Sequence, residues 1–113
     1  MTADASGSAE VRLLRRSVPE FEPTFQDELR AEDGELGAFQ AVSVLADWVR
    51  DRLDGDTDGD AVQRAFDAVE RLISDDDYPL GDALAAEFIE VVWDHPQAPA
   101  RMGAATRARA QPG

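Results

Sequence analysis

Residues 80–93 constrain the fold more than any other stretch of the chain. Their sequence, LGDALAAEFIEVVW, carries two adjacent apolar stripes at helical spacing. One stripe holds Leu84, Phe88, Val91 and Val92, and the other holds Ala85, Ile89 and Trp93. An apolar arc this wide is typical of a helix buried against two or more neighbours, whereas a surface helix shows one stripe. We therefore predict a core organised around a helix over residues 80–94.

Other amphipathic segments predict the helices that cover this one. Residues 36–53 and 61–73 each carry a clear apolar stripe, and shorter helical patterns fall in residues 10–16 and 23–31. The predicted stripe of the longest helix holds Phe39, Val42, Leu45, Ala46, Val49 and Leu53, with Trp48 on its flank. No segment alternates with the period of a strand. The sequence thus predicts an all-α, single-domain bundle of about four main helices plus short N-terminal helical turns.

The ends of the chain differ from its middle. Residues 1–8 are small and polar, which predicts a disordered N-terminus before a bundle domain over residues 9–95. Residues 96–113 are rich in Arg and Ala, and either a short docked helix around residues 104–110 or a frayed tail fits them. The start of the sequence lacks the basic and apolar regions of a secretory signal. Because no apolar run approaches the roughly 20 residues that span a bilayer, we expect a soluble, cytoplasmic protein.

Charge is the strongest compositional signal. The formal net charge is −13, and 22 of the 24 acidic residues lie within residues 20–94. A surface of this kind repels nucleic acid and anionic lipid and attracts basic partners. We therefore expect a basic protein partner, no nucleic acid and no membrane, and a homodimer is compatible with the sequence. The alternative interpretation is that the acidity only keeps the chain soluble.

In an up-down bundle the acidic turns fall at defined ends. The turns at residues 32–35 and 75–77 share one end, and the turn at residues 54–60 lies at the other, beside Arg101, Arg107 and Arg109 of the tail. The predicted partner-binding residues are Glu32, Asp33, Glu35, Asp75, Asp76 and Asp77.

The turn at residues 54–60, DGDTDGD, matches the first half of a calcium-binding EF-hand loop. Asp54, Asp56 and Asp58 take positions 1, 3 and 5 of that loop, and a glycine takes position 6, where the loop turns sharply. With Asp60 they are the candidate Ca²⁺ ligands. Position 12, which needs a bidentate Glu, is Ala65, so a solvated inter-helix turn is the competing interpretation.

No pattern indicates catalysis. The single histidine, His95, lies at a predicted helix end before a proline, where a cation meets the negative end of the helix dipole. Glu87 and Glu90 lack the Glu-x-x-His pairs of di-iron bundles. The absence of cysteine excludes disulfides, thiolate metal sites and cysteine nucleophiles. We therefore expect a non-enzyme without a cofactor, Ca²⁺ excepted.

Two stretches carry a resemblance. Residues 13–21 read LLRRSVPEF, and residues 66–73, FDAVERLI, are followed by acidic residues and by AEFIE at residues 86–90. Over residues 11–93 the chain resembles a family of small uncharacterised bacterial all-helical domains, some members of which are associated with immunity or toxin-neighbourhood genes. The resemblance implies an all-helical fold and no catalytic residues.

Three functional hypotheses follow for this chain. The first is an acidic binding or inhibitory protein, of the immunity type, that captures a basic protein. The second is a Ca²⁺-binding helical module that uses residues 54–60, and the third is a soluble adaptor with no specific ligand.

Overall fold

A computed structural model describes residues 8–110, and all regular structure in this range is helical. The helices are α1 (Ala9–Ser17), α2 (Glu22–Ala31), α3 (Ala38–Gly55), α4 (Gly59–Ser74), α5 (Gly81–Val92), α6 (Ala98–Arg101) and α7 (Ala104–Ala110). A 3-10 turn, Pro19–Phe21, joins α1 to α2. The predicted all-α class is confirmed, and the bounds of α1 to α5 agree with the sequence pattern to within two residues at each end. The predicted disorder of residues 1–8 falls almost wholly outside the described residues.

Helix α5 lies at the centre of the packing, in contact with α3, α4 and α7. Its buried side chains come from both predicted stripes, with Leu84, Ala85 and Phe88 fully buried. The ring of Phe88 meets the ring of Phe66 from α4 edge to face, with 5.3 Å between centroids. Burial on two sides explains why the apolar arc of α5 is wider than that of a surface helix.

Helices α3 and α5 run parallel to each other. The Ser43 hydroxyl, near the start of α3, donates to the Glu87 carboxylate at 2.8 Å. Further along both helices, the Arg50 guanidinium donates to the Val91 carbonyl at 2.8 Å. The order of these contacts places the first turns of α3 and α5 at the same end of the bundle.

Helix α4 runs antiparallel to α5, and the end of α4 lies against the start of α5. A Cβ atom at Gly81 would lie 1.8 Å from the carbonyl oxygen of Leu72, near the end of α4. Only glycine permits this backbone contact. The end of α4 therefore lies beside the starts of α3 and α5.

A side chain of the N-terminal helix α1 caps the start of α5. Glu10 of α1 is 4% exposed, and its carboxylate accepts a hydrogen bond from the Leu80 N–H at 2.9 Å. Leu80 precedes the first residue of α5, where backbone donors have no partner within the helix. The acceptor comes from α1, so Asp77, which lies just before α5, does not cap this helix.

The C-terminal residues form α6 and α7, and a second glutamate holds α7. The Glu70 carboxylate of α4 accepts hydrogen bonds from the Ala105 N–H at 3.0 Å, the Thr106 N–H at 2.9 Å and the Thr106 hydroxyl at 2.7 Å. Thr106 is fully buried. A Cβ at Gly103 would lie 2.5 Å from the Glu70 carboxyl carbon. The polar face of α4 at Glu70 is therefore covered by α7.

Several side chains differ from their predicted environment. Phe39 was placed in the core and is 46% exposed, and Trp93, placed in the second stripe of α5, is 58% exposed. Both lie at helix ends, and a stripe is covered only as far as the neighbouring helices extend. Trp48 is buried, at 5% exposed. Asp60 lies in the first turn of α4, which begins at Gly59 and has no side-chain cap.

Replacing Gly81 with alanine should destabilise the protein. The added Cβ would collide with the Leu72 carbonyl, and separating α4 from α5 should cost about 2–3 kcal/mol, the usual scale of overpacking. Urea unfolding followed by circular dichroism measures this change. The matched control is Gly55→Ala, where the nearest side-chain atom lies at 3.7 Å and the better helix propensity of alanine should leave stability unchanged or slightly higher. Equal effects of the two substitutions would contradict the close contact.

Replacing Glu70 with alanine should release α7 from α4. Burial raises the pKa of Glu70, but hydrogen bonds from the hydroxyl and N–H of Thr106 and from the N–H of Ala105 outweigh it, so the pKa falls below its ordinary value of 4.5. Losing these charge-assisted bonds should cost about 1–3 kcal/mol. Amide hydrogen exchange should speed up at residues 105 and 106, while α3 and α5 stay protected.

The same contact predicts a pH dependence. A lowered pKa means that the folded state holds the proton less tightly than the unfolded chain does, so the contribution of Glu70 is complete above about pH 4.5 and disappears as the pH falls below it.

The control for the Glu70→Ala substitution is Glu90→Ala, since Glu90 is exposed. Unchanged exchange at residues 105 and 106 in the Glu70 variant would show that α7 is held by its apolar contacts alone.

Candidate protein-binding surface

Both predicted acidic turns lie at the same end of the bundle. Residues 32–35 lead into α3, and residues 75–77 lie between α4 and α5. Because the starts of α3 and α5 and the end of α4 share one end, as the contacts of Ser43, Arg50 and Gly81 show, the two turns do so too. The topology on which the partner-binding prediction depends is therefore present.

The turn before α3 is short and is anchored to the core by one apolar side chain. Asp33 and Gly34 both have positive φ, 58° and 83°, which closes α2 tightly. Leu36 is 2% exposed and fixes the turn to the core. The side chains of Glu32, Asp33 and Glu35 are exposed, and within residues 8–110 none of them forms a side-chain hydrogen bond or ion pair.

The turn before α5 contains one structural carboxylate and two unpaired ones. Asp75 accepts a hydrogen bond from the Asp77 N–H at 3.0 Å and lies 3.5 Å from the Arg71 guanidinium. Asp76 and Asp77 are exposed, and their carboxylates have no partner in the described part of the chain. Asp75 thus shapes the turn, while Asp76 and Asp77 are available to a ligand.

Two large apolar side chains share this end with the carboxylates. Phe39 lies in the first turn of α3 and is 46% exposed, and Leu80 precedes α5 and is 43% exposed. The sequence did not identify either as a surface residue, although their position at helix starts was the available signal. We call the six carboxylates of the two turns, together with Phe39 and Leu80, the acidic end. Such a surface offers charge for steering and apolar area for contact.

Most arginines of the bundle neutralise carboxylates that lie outside the acidic end. Arg64 donates to both oxygens of Glu20, at 2.8 and 2.6 Å, and these hydrogen bonds are the main reason that the pKa of Glu20 falls to about 2. Arg50 lies 2.6 Å from Asp94, at the far end of α5, and lowers the pKa of that carboxyl by hydrogen bonding. Five carboxylates of the acidic end, those other than Asp75, have no such partner within residues 8–110.

The arginines of the tail divide between the two ends. Arg101 donates to the Gly59 carbonyl at 3.1 Å, which places it beside the turn at residues 54–60 as predicted. Arg109 instead lies 2.6 Å from Asp82, in the first turn of α5. The prediction that Arg109 neutralises the other end is wrong, because α7 runs back along α5 toward the acidic end.

The proposed calcium ligands make other contacts. Asp54 lies 3.0 Å from the His95 imidazole, and Asp58 lies 3.4 Å from the Arg52 guanidinium. Asp56 and Asp60 are exposed. Over residues 8–110 the structure has no group of three or more His, Cys, Asp or Glu side chains arranged to hold a metal ion. Calcium binding at this turn stays a prediction, and no contact in the structure supports it.

His95 joins α3 to the segment after α5. It is 7% exposed, its Nε2 lies 3.0 Å from an Asp54 oxygen, and its Nδ1 accepts from the Gln97 N–H at 3.2 Å. His95 is therefore a buried hydrogen-bonded link between α3 and the segment after α5.

Comparison with known proteins identifies the family. A family model described as a domain of unknown function (DUF7674) matches residues 11–110, so the chain belongs to that family. The match agrees with the expected uncharacterised family and carries no information on immunity or toxin genes. No curated protein and no solved structure matches the chain. Between residues 8 and 110, no helix is both long enough and apolar enough to cross a membrane.

Proposed function

We propose that this protein binds a basic protein partner through the acidic end, as a binding or inhibitory protein of the immunity type. One observation carries the proposal. Five carboxylates without a partner in the described chain lie at the same end of the bundle as the exposed side chains of Phe39 and Leu80. Uncompensated charge of one sign costs stability through self-repulsion, and a partner of opposite sign relieves it.

The rest of the structure is consistent with a binding role. The net charge of −13 steers a basic partner toward the protein and speeds its association. The exposed rings and aliphatic groups of Phe39 and Leu80 supply the desolvated contact on which interface affinity usually depends. The turns that carry the carboxylates are anchored by Leu36 and by the Glu10–Leu80 hydrogen bond, so little order has to be gained on binding.

The acidic end can be tested with a synthetic peptide rich in arginine and leucine. The variant Asp76→Asn with Asp77→Asn should bind this peptide roughly fivefold more weakly at low salt, because two exposed charge pairs contribute about 1 kcal/mol together. Fluorescence anisotropy of the labelled peptide measures the affinity. The difference should shrink at about 300 mM salt, where exposed charges are screened.

The matched control removes the same charge at the opposite end. In Asp56→Asn with Asp60→Asn, two exposed carboxylates are replaced without loss of a side-chain contact within residues 8–110. This variant should bind the peptide within about twofold of the parent, because long-range attraction alone is weak. Equal losses in both variants would mean that net charge, and not the acidic end, attracts the peptide.

A further inference from the structure

A groove between α2 and α3 combines an aromatic ring with an excess of carboxylates. Its volume is about 460 Å³, and its walls include Glu28 of α2 and Asp47, Trp48, Asp51 and Arg52 of α3. Glu28 lies one helical turn before Glu32, so this wall of the groove comes within about one turn of the acidic end.

Trp48 provides the aromatic surface of this groove. It is 5% exposed, with the ring of Phe21 packed against it at 5.9 Å between centroids. The Arg52 guanidinium carbon lies 4.2 Å from the centre of the Trp48 ring, which is a cation–π contact. The Trp48 indole N–H is buried and has no acceptor in the described chain. A buried donor without a partner is costly, and it marks a place where another acceptor would be stabilised.

The carboxylates of the groove are only partly neutralised. Asp51 lies 3.2 Å from Arg52, whose Nε is also 3.4 Å from Asp58. Glu28 and Asp47 form no side-chain hydrogen bond or ion pair within residues 8–110. Three carboxylates therefore line the groove with one cation among them, and that cation covers the tryptophan ring.

We infer that this groove binds an arginine side chain of a basic polypeptide, and that Arg52 occupies the position in the unbound protein. A guanidinium is planar, so it can stack on Trp48 while donating to Glu28 and Asp47, which a lysine ammonium does less well. The backbone carbonyl beside that arginine is the acceptor that the Trp48 indole N–H lacks. The inference rests on the proposed function, since it assigns a second contact to the same basic partner.

The probe for this site is N-acetyl-arginine methylamide, which carries one guanidinium and flanking peptide carbonyls. The indole N–H resonance of Trp48 should shift on titration, while that of the exposed Trp93 provides an internal control. The isosteric, neutral N-acetyl-citrulline methylamide should cause no comparable shift. Equal shifts with the two compounds, or shifts at Trp93 alone, would overturn the inference.

Substitutions test the role of Arg52 separately from that of the carboxylates of the groove. In Arg52→Gln and in Arg52→Ala the tryptophan face is open, and the probe should bind roughly tenfold more tightly, whereas a purely structural Arg52 would give no gain. Arg52→Gln keeps most of the side-chain stem, which protects the test if the alanine variant folds poorly. Glu28→Gln with Asp47→Asn should weaken the probe roughly fivefold. Unchanged affinity in folded variants of both kinds would overturn the inference.

The proposals for the acidic end and for the groove can be overturned independently of each other. Asp76→Asn with Asp77→Asn should leave the probe unaffected, because those carboxylates lie outside the groove, although the same variant should weaken the longer arginine- and leucine-rich peptide. A probe that binds at Trp48 together with a peptide indifferent to Asp76 and Asp77 would support the groove alone. The reverse pattern would support the acidic end and overturn the groove.

Discussion

The rest of the structure depends on the backbone contact between Gly81 and the Leu72 carbonyl. It lets α5 begin directly against the last turns of α4, so that Phe66 and Phe88 meet in the core. The short acidic turn at residues 75–77 is a consequence, because the chain must reverse within a few residues to make that contact. One of the two turns of the acidic end is therefore shaped by the contact of Gly81 with α4.

Helix positions could be predicted from the sequence because apolar periodicity reports burial directly. The wide arc of residues 80–93 indicated a helix with several neighbours, and α5 has them. Periodicity does not say which neighbour covers which face. Glu10 and Glu70 lie on polar faces by pattern, yet each accepts hydrogen bonds from a segment at least 35 residues away in sequence. Contacts of that kind follow from topology, which no local pattern contains.

Part of the candidate site was also predictable from the sequence. The grouping of two acidic turns needed only the order of helices and short connections. The exposure of Phe39, the structural part of Asp75 and the return of Arg109 to Asp82 depend on where neighbouring helices stop. The α2–α3 groove was not predicted, because Trp48 reads as a core residue and its unsatisfied indole N–H is visible only in three dimensions. The turn at residues 54–60 is the opposite case, because its motif is visible in the sequence but not supported by its contacts. It matches half of a calcium-binding loop, and in the structure its carboxylates contact His95 and Arg52.

The two capping glutamates also bear on the order in which the chain assembles during synthesis. Glu10 is made long before Leu80, so the acceptor for the start of α5 is already present when that helix leaves the ribosome. Glu70 likewise precedes Ala105 and Thr106. The carboxylates that accept hydrogen bonds from α5 and α7 are thus synthesised before those helices. Neither contact depends on a residue that is made later than the helix itself. In multidomain chains the N-terminal domain generally folds first during synthesis, and in this chain the two capping carboxylates follow the same order on the scale of single helices.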